Sequence, residues 1–431
     1  MYQTPILKEL DDRGLIAQAS NPEKLDEHLA AAPRSFYCGF DPTADSLHIG
    51  SLVPLLTMQR LQKAGHQPIV LVGGATGLIG DPSFKAEERK LNSPEVVAAW
   101  VDKIREQTNG LIDFEGGDKP GIAVNNLDWT SDLSTIDFLR HVGKHFSINN
   151  MINKESVKQR IDREGEGISF TEFSYMLLQS MDFSELNRRH DCTLQIGGSD
   201  QWGNITGGID LCRRQNGAQA FGLTLPLVTK SDGTKFGKTE SGTIWLDPAK
   251  TSPYAFYQFW LGTADADVYK FLRYFTYLSC EQISSLEEED RHRAGRPQAQ
   301  AVLAKELTKL IHGQQALESA LRITESLFNG EIENLTDGDV HQLAQDGLPL
   351  YEAESLNQPD YSVTRLLSEA GLGNGKQIKD ALGRKAITLN GKQLEAFAST
   401  PAAEALTQVE PIAEHYILAK MGKKKHLLLK V

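Results

Sequence analysis

The chain has 431 residues, too many for one ordinary core and suited to two or three domains. Hydrophobic residues make up 40 % and charged residues 24 %, which excludes a disordered chain. Its 45 Lys and Arg against 57 Asp and Glu, a net charge of −12, exclude a protein that coats itself in nucleic acid. That average hides a split. From Tyr361 to Val431 eleven basic residues face six acidic ones, a net of +5, against −17 before them. No apolar run is long enough to cross a bilayer, and Met1 to Asp11 is too polar for a signal peptide. Cys38, Cys192, Cys212 and Cys280 lie far apart without a CxxC pair. The expectation is a cytoplasmic protein with neither a zinc site nor a disulfide framework.

In chain order, the first half alternates strands and helices. Phe36 to Phe40 is short, apolar and aromatic, and predicts a buried strand. Leu52, Leu55, Met58 and Leu61 recur at helical spacing, with Gly65 where a C-terminal cap belongs. Pro68 to Val72 predicts a second strand, running into Gly73, Gly74, Ala75, Thr76 and Gly77. Ile122 to Val124 reads as a third strand, and Thr193 to Ile196 as another that ends at Gly197 and Gly198. Strands alternating with helices and ending in glycine turns predict a doubly wound, parallel α/β sheet. In such sheets ligands sit beyond the carboxyl ends of the strands. Residues 1–246 are read as this domain, 247–330 as a helical domain, 331–360 as an acidic linker and 361–431 as a basic module. The linker reading rests on eight acidic residues and no Lys or Arg. In the tail, Ser362 to Leu382 predicts two short helices around Gly371-Leu372-Gly373. Ala386 to Lys392 predicts a strand with an Asn-Gly turn, and Lys423 to Lys430 a basic turn entering a strand.

Three clusters carry chemistry. Leu47-His48-Ile49-Gly50-Ser51 follows Asp41-Pro42-Thr43 at the start of the first helix. A helix N-terminus offers unpaired N–H groups that attract phosphate, a His there can donate to it, and Gly lets a base lie on the backbone. A plain polar cap accounts for the same residues. Lys235-Phe236-Gly237-Lys238-Thr239, opened by Ser231-Asp232-Gly233, places two lysines around a glycine. That either clamps a polyphosphate or forms a solvated basic loop. Thr171 to Phe183 predicts a helix on which Tyr175, Gln179 and Asp182 share one face, a pocket wall or a wet amphipathic face.

The His48 and Lys235–Thr239 motifs together resemble the paired signatures of class I aminoacyl-tRNA synthetases. Tyr37-Cys38-Gly39-Phe40-Asp41-Pro42-Thr43, the run from Gly73 to Ser83 and the run from Gln195 to Asn204 are similar to the bacterial tyrosine-specific family of that class. The likeness spans nearly the whole chain. It implies a Rossmann-like catalytic domain, a helical domain and a small C-terminal S4-like α+β RNA-binding domain. It also implies a homodimeric ligase that activates L-tyrosine with ATP and charges tRNA(Tyr), with no membrane partner. Mg²⁺ would arrive on ATP, with no tightly bound cofactor and no resident metal.

Position by position, the resemblance puts Tyr37 and Asp182 at the phenolic hydroxyl of tyrosine. It puts Asp81, Tyr175 and Gln179 at the ammonium group and Gln201 near the carboxylate. Gly39, Asp41, Thr43, His48, Gly50 and Ser51 fall on the ATP side, with Cys38 and Asp200 at the ribose. Lys235, Lys238 and Thr239 fall over the pyrophosphate and, with His48 and Thr43, form the catalytic group. Lys85 and Arg89 fall near the tRNA acceptor end, and Arg365, Arg384, Lys423 and Lys424 on tRNA phosphates. No protein nucleophile is required; the site must position reactants and neutralise charge. Ser51 departs from the family pattern, which has a second His or sometimes Asn there.

Overall fold

The computed structural model describes residues 2–82, 92–154, 157–158, 161, 167–231, 236–239, 242–329, 331–353, 356, 358, 360–422 and 425–431. Two compact units emerge: Met1–Asp247 with Ala264–Ala299, and Pro248–Thr263 with Gln300–Val431.

The first unit is built on a six-stranded sheet of β1 (Gln18–Ala19), β2 (Ser35–Phe40), β3 (Gln67–Val72), β4 (Ile122–Asn125), β5 (Cys192–Gly198) and β6 (Phe221–Leu225). Their order is β1-β6-β5-β2-β3-β4, with β1 antiparallel to β6 and the other neighbours parallel. β2, β3 and β4 step one way, and the chain then returns to the other side of β2 with β5 and β6. The order therefore switches between β2 and β5, where ligand crevices open in such sheets. The expected strands form. β6, not anticipated, is buried at all five positions, although Phe221, Leu223 and Leu225 alternate with Gly222 and Thr224 as a strand's residues do. The Leu52–Lys63 helix runs as expected, and Gly65 takes a φ of +93° just past its end. Two short strands, β7 (Lys238–Thr239) and β8 (Gly242–Thr243), pair antiparallel.

The helices between 247 and 330 do not form the single helical domain expected. Asp265–Phe275 and Cys280–His292 belong to the first unit, while Pro253–Leu261 and nearly all of Ala299–Asn329 belong to the second. Buried arginines explain the first assignment. Arg13 donates to the carbonyls of Arg273 (3.2 Å) and Leu278 (3.0 Å), and Arg60 to that of Thr276 (2.7 Å).

Residues 331–360 are likewise not a linker. They hold a turn at Ile332–Asn334, a capped helix at Asp337–Gln345 and β9 (Leu350–Glu352). Ile332, Leu335, Val340 and Leu343 join a buried cluster with Ile323, Tyr416, Leu418 and Leu428. The acidic run is tolerated because it finds partners. Asp339 meets Arg322 at 2.6 Å, Asp346 accepts from Ser252 at 2.6 Å, and Glu352 meets Lys430 at 2.7 Å.

The tail folds as the expected α+β, S4-like module. The Val363–Glu369 and Gly375–Gly383 helices precede β10 (Ile387–Leu389), β11 (Lys392–Gln393), β12 (Tyr416–Met421) and β13 (Lys425–Lys430). Asn390 and Gly391 turn the β10–β11 hairpin with positive φ at both positions. β9 closes the sheet, parallel to β13, so the module is continuous with the segment before it.

Candidate active site

A cavity of about 610 Å³ opens over the β2–β5 switch point. Tyr37, Cys38, Gly39, Asp41, Thr43, His48, Gly50, Ser51, Asp81, Tyr175, Gln179, Asp182, Asp200 and Gln201 all line it. Fourteen positions spread over 165 residues of sequence thus converge because the strand ends of a parallel sheet converge. The volume is that of a small-molecule site.

One wall comes from the Phe170–His190 helix, which projects Tyr175, Gln179 and Asp182 from one face, all lining the cavity. The wet-face alternative fails on burial: Tyr175 is 5 % exposed and Asp182 2 %. Asp182 accepts from Asn126 Nδ2 (3.0 Å) and Trp129 Nε1 (2.9 Å). Burial nevertheless pushes its carboxyl up to about 7 against the pull of those two donors. The Tyr37 hydroxyl is fully buried and finds no hydrogen-bond partner among the described residues. Its ring rests edge-on against Phe183, centroids 5.2 Å apart. Burial, then the nearby Asp182, raise the Tyr37 phenol well above its ordinary value, so it is a neutral donor.

A second network runs through Asp41, whose carboxylate accepts from Tyr175 Oη and Thr76 Oγ1, both at 2.6 Å. Thr76 in turn accepts from Asn126 Nδ2 at 3.0 Å, linking Asp41 to Asp182. A Cβ at Gly73 would collide with both Asp41 and Thr76, so glycine is required there. A third network joins Gln201 Nε2 to Asp81 (2.7 Å) and Asn204 Nδ2 to Gln179 (3.1 Å). The residues assigned to the ammonium and carboxylate therefore hold one another. Burial, above all, raises the Asp200 carboxyl and pushes the Cys38 thiol up to about 12, leaving a neutral thiol rather than a nucleophile.

The opposite rim is the Ile49–Ser51 turn. His48 caps it: Nδ1 accepts from the Gly50 amide at 3.0 Å, which assigns the proton to Nε2 and leaves the ring a donor. A Cβ at Gly50 would sit 2.8 Å from His48 Cε1, so the ring can fold down only on glycine. Gln107 braces this rim, accepting from the Leu47 amide at 2.8 Å. Ile49 N donates to Ile244 O at 3.1 Å and Leu246 N to Leu47 O at 2.8 Å. Ile244 N donates to Gly237 O at 3.1 Å, so the two signature motifs are connected through backbone bonds. Ser51 lines the cavity and gives no side-chain cap to the helix it precedes. Ser51→His should therefore leave kcat for adenylate formation equal or up to about tenfold higher, the worth of one uncharged hydrogen bond. A large loss in pyrophosphate exchange would show a site rebuilt around serine.

Lys85, Arg89, Lys235, Lys423 and Lys424 lie outside the described residues, as do the side chains of Lys238 and Thr239. Arg365 and Arg384 lie in the second unit, each paired with an acidic residue four positions away, Glu369 and Asp380. Sequence reasoning missed Asn126, Trp129, Thr76, Gln195, Asn204 and Gln107. Asn126 directly follows the carboxyl end of β4, and that position alone could have flagged it. Among the described residues, no three His, Cys, Asp or Glu side chains gather as a metal site.

What separates this site from an ordinary dinucleotide-binding domain is the turn after β2. No GxGxxG stands there, and a histidine at a helix start is followed by residues joined through backbone bonds to the lysine motif. Such an arrangement belongs to the class I aminoacyl-tRNA synthetases. A family model described as tRNA synthetases class I (W and Y) matches residues 30–329. The chain is 59 % identical to a tyrosine--tRNA ligase from Aliivibrio salmonicida over 420 residues, 97 % of each chain. It is 54 % identical to one from Klebsiella pneumoniae over 430 residues, 100 % of this chain and 99 % of that one. A crystal structure of a C-terminally truncated mitochondrial tyrosyl-tRNA synthetase from Aspergillus nidulans superposes with a TM-score of 0.68 at 28 % identity, covering 75 % of this chain and 94 % of that one. The chain belongs to the tyrosine--tRNA ligase family, within the tRNA synthetases class I (W and Y).

Proposed function

We infer that the protein activates L-tyrosine with ATP to tyrosyl-adenylate and pyrophosphate, and then charges tRNA(Tyr). The observation that carries the substrate is the buried, unpartnered Tyr37 hydroxyl on the same cavity as the Asp182 carboxylate. A phenolic hydroxyl accepts from the first and donates to the second. Asp81, Tyr175 and Gln179 would take the ammonium group, and Gln201 the carboxylate. Asp81 lines the same cavity and is held by Gln201, a carboxylate that suits the ammonium cation. The tyrosine carboxylate attacks the α-phosphate, pyrophosphate leaves, and the 3′-terminal ribose of tRNA later takes the acyl group. His48 donates to phosphate, Thr43 lines the same cavity, and Lys235, Lys238 and Thr239 neutralise charge on the departing pyrophosphate. Mg²⁺ enters as part of the ATP substrate, held by phosphates and water. Tyrosine-dependent ATP–pyrophosphate exchange, compared with tryptophan and phenylalanine, tests the reading. Exchange driven by tryptophan, or by none of the three, would overturn it.

The raised Asp182 carboxyl gives a pH signature. Its ordinary value is 3.8 and burial raises it to about 7, so the empty site keeps its proton up to neutrality. Only the ionised carboxylate is a full acceptor for the phenol, so binding tyrosine releases that proton. Tyrosine affinity should therefore rise as pH climbs through about 7, by up to about tenfold per unit below it, and flatten above. Asp182→Asn should abolish the dependence in equilibrium dialysis.

A homodimer would account for exposed apolar side chains on the first unit. Ile136 and Leu139 lie one turn apart on the Thr135–His141 helix, and Ile148 and Ile152 one turn apart on Ile148–Ile152. These four and Phe170, 77 % exposed, are large apolar side chains left in solvent, as residues of a docking surface are before it is covered. Leu139→Asp with Ile148→Asp should convert a dimer to a monomer in sedimentation equilibrium. A wild-type chain that sediments as a monomer at micromolar concentration would remove this assignment.

A further inference from the structure

Beyond the assigned site, the Asp265–Phe275 helix holds the segment that leads into the lysine motif and the motif's own Phe236. Lys270 Nζ donates to Thr229 O at 3.0 Å, and Asp267 Oδ2 accepts from both the amide and the hydroxyl of Ser231 at 3.0 Å. Lys270 also meets Asp267 Oδ1 at 3.2 Å, so the two grips are themselves paired. One and two turns further along, Phe271 meets the Phe236 ring edge-on at 5.0 Å and Phe275 stacks on it at 5.5 Å. Asp267, Lys270, Phe271 and Phe275 are spaced by three, one and four residues, which puts them on one face.

The same helix is tied back to the other signature. Arg60, on the helix that begins after the His48 turn, donates to Thr276 O at 2.7 Å. Tyr277 lies under the Arg60 guanidinium at 4.9 Å and the Lys63 ammonium at 3.7 Å. The circuit closes through Gly237, Ile244 and Ile49. The distance from β7 to His48 is thus set from two directions: by the backbone ribbon, and by the helix acting as a platform.

We propose that the Asp265–Phe275 helix fixes the position of the Lys238-bearing strand against the His48 turn, with Asp267 and Phe271 as positioning residues of the activation step. This rests on the tyrosine-activating reading above. Neither residue lines the cavity. They act through Ser231 and Phe236, and displacement of a charged group by about 1 Å costs on the order of a hundredfold in rate.

The test uses the full-length protein. In rapid-quench kinetics, Asp267→Ala and Phe271→Leu should each slow adenylate formation by roughly ten- to a hundredfold. Tyrosine Kd from equilibrium dialysis should stay within about twofold, since tyrosine binds at the far end of the cavity. In a Lys238→Ala background, Asp267→Ala should cost less than about twofold more, because the group it positions is gone. Ser231→Ala removes one donor at an exposed position, and should reproduce the pattern at smaller amplitude without a risk to folding. An equal rate loss in both backgrounds, a parallel rise in tyrosine Kd, or no rate loss in any variant would overturn the proposal. Absence of tyrosine-dependent activity in the wild type would instead overturn the reading on which it rests.

Discussion

Replacing Asp182 with alanine should lower kcat/KM for tyrosine by at least about a hundredfold, while the value for phenylalanine changes by no more than about threefold. The carboxylate is 2 % exposed and is the acceptor into which Asn126 and Trp129 both point. Hydrogen bonds to charged groups contribute about 1.5–3 kcal/mol, and each 1.4 kcal/mol is a factor of about ten. Alanine removes the bond to substrate and also takes the acceptor from Asn126 and the half-buried Trp129, so the loss falls at the upper end of that range or beyond. Phenylalanine never used the acceptor, and therefore loses little. A site built to bond a hydroxyl rejects the analogue lacking it because its own polar groups are left unpaired, and tyrosine-specific synthetases are the standing example of that rule. Tyr37→Phe removes an uncharged partner and should cost only about tenfold. The discriminating measurement is the ratio of the two substrates in pyrophosphate exchange. Equal losses for tyrosine and phenylalanine would mean that the pocket had collapsed, not that recognition had been removed.

How much of this pocket the sequence could reveal follows from the range of the forces involved. Tyr175, Gln179 and Asp182 were legible because a helix repeats every 3.6 residues, so local spacing fixes a shared face. Whether that face was wet was not legible, since burial depends on what the sheet brings over it. Asn126 and Trp129 reach Asp182 across 56 and 53 residues, and nothing local marks them as its partners. The same limit governs the helices between 247 and 330. Their periodicity announces them as helices, but Arg13 and Arg60 capture Asp265–Phe275 from more than 200 residues away. The acidic run at 331–360 failed as a linker for a related reason. Composition counts charges, whereas Arg322 and Lys430, which neutralise part of that run, lie outside it.

Changing Arg365, Arg384, Lys423 and Lys424 together to alanine should raise KM for tRNA by on the order of ten- to a hundredfold and leave tyrosine-dependent pyrophosphate exchange unchanged. Deleting the tail from Tyr361 is the simpler experiment, but the packing argues against it. Tyr416, Leu418 and Leu428 are buried against Ile323, Ile332, Val340 and Leu343, and β9 pairs with β13. Removing them exposes that cluster, and a fall in charging would then report unfolding as readily as lost RNA contact. Point substitutions leave that packing in place. Arg365 and Arg384 each sit in an exposed i, i+4 ion pair that solvent screens, so their loss barely touches stability. The same pairing means that each arginine must leave its carboxylate to reach a phosphate, so the two contribute less than free charges would. Lost phosphate contacts also reduce counterion release. The slope of log KM against log salt should flatten by roughly 0.7–0.9 for each contact removed. A variant with unchanged KM and unchanged salt slope would leave the +5 tail as a solvated surface and move RNA recognition elsewhere on the chain.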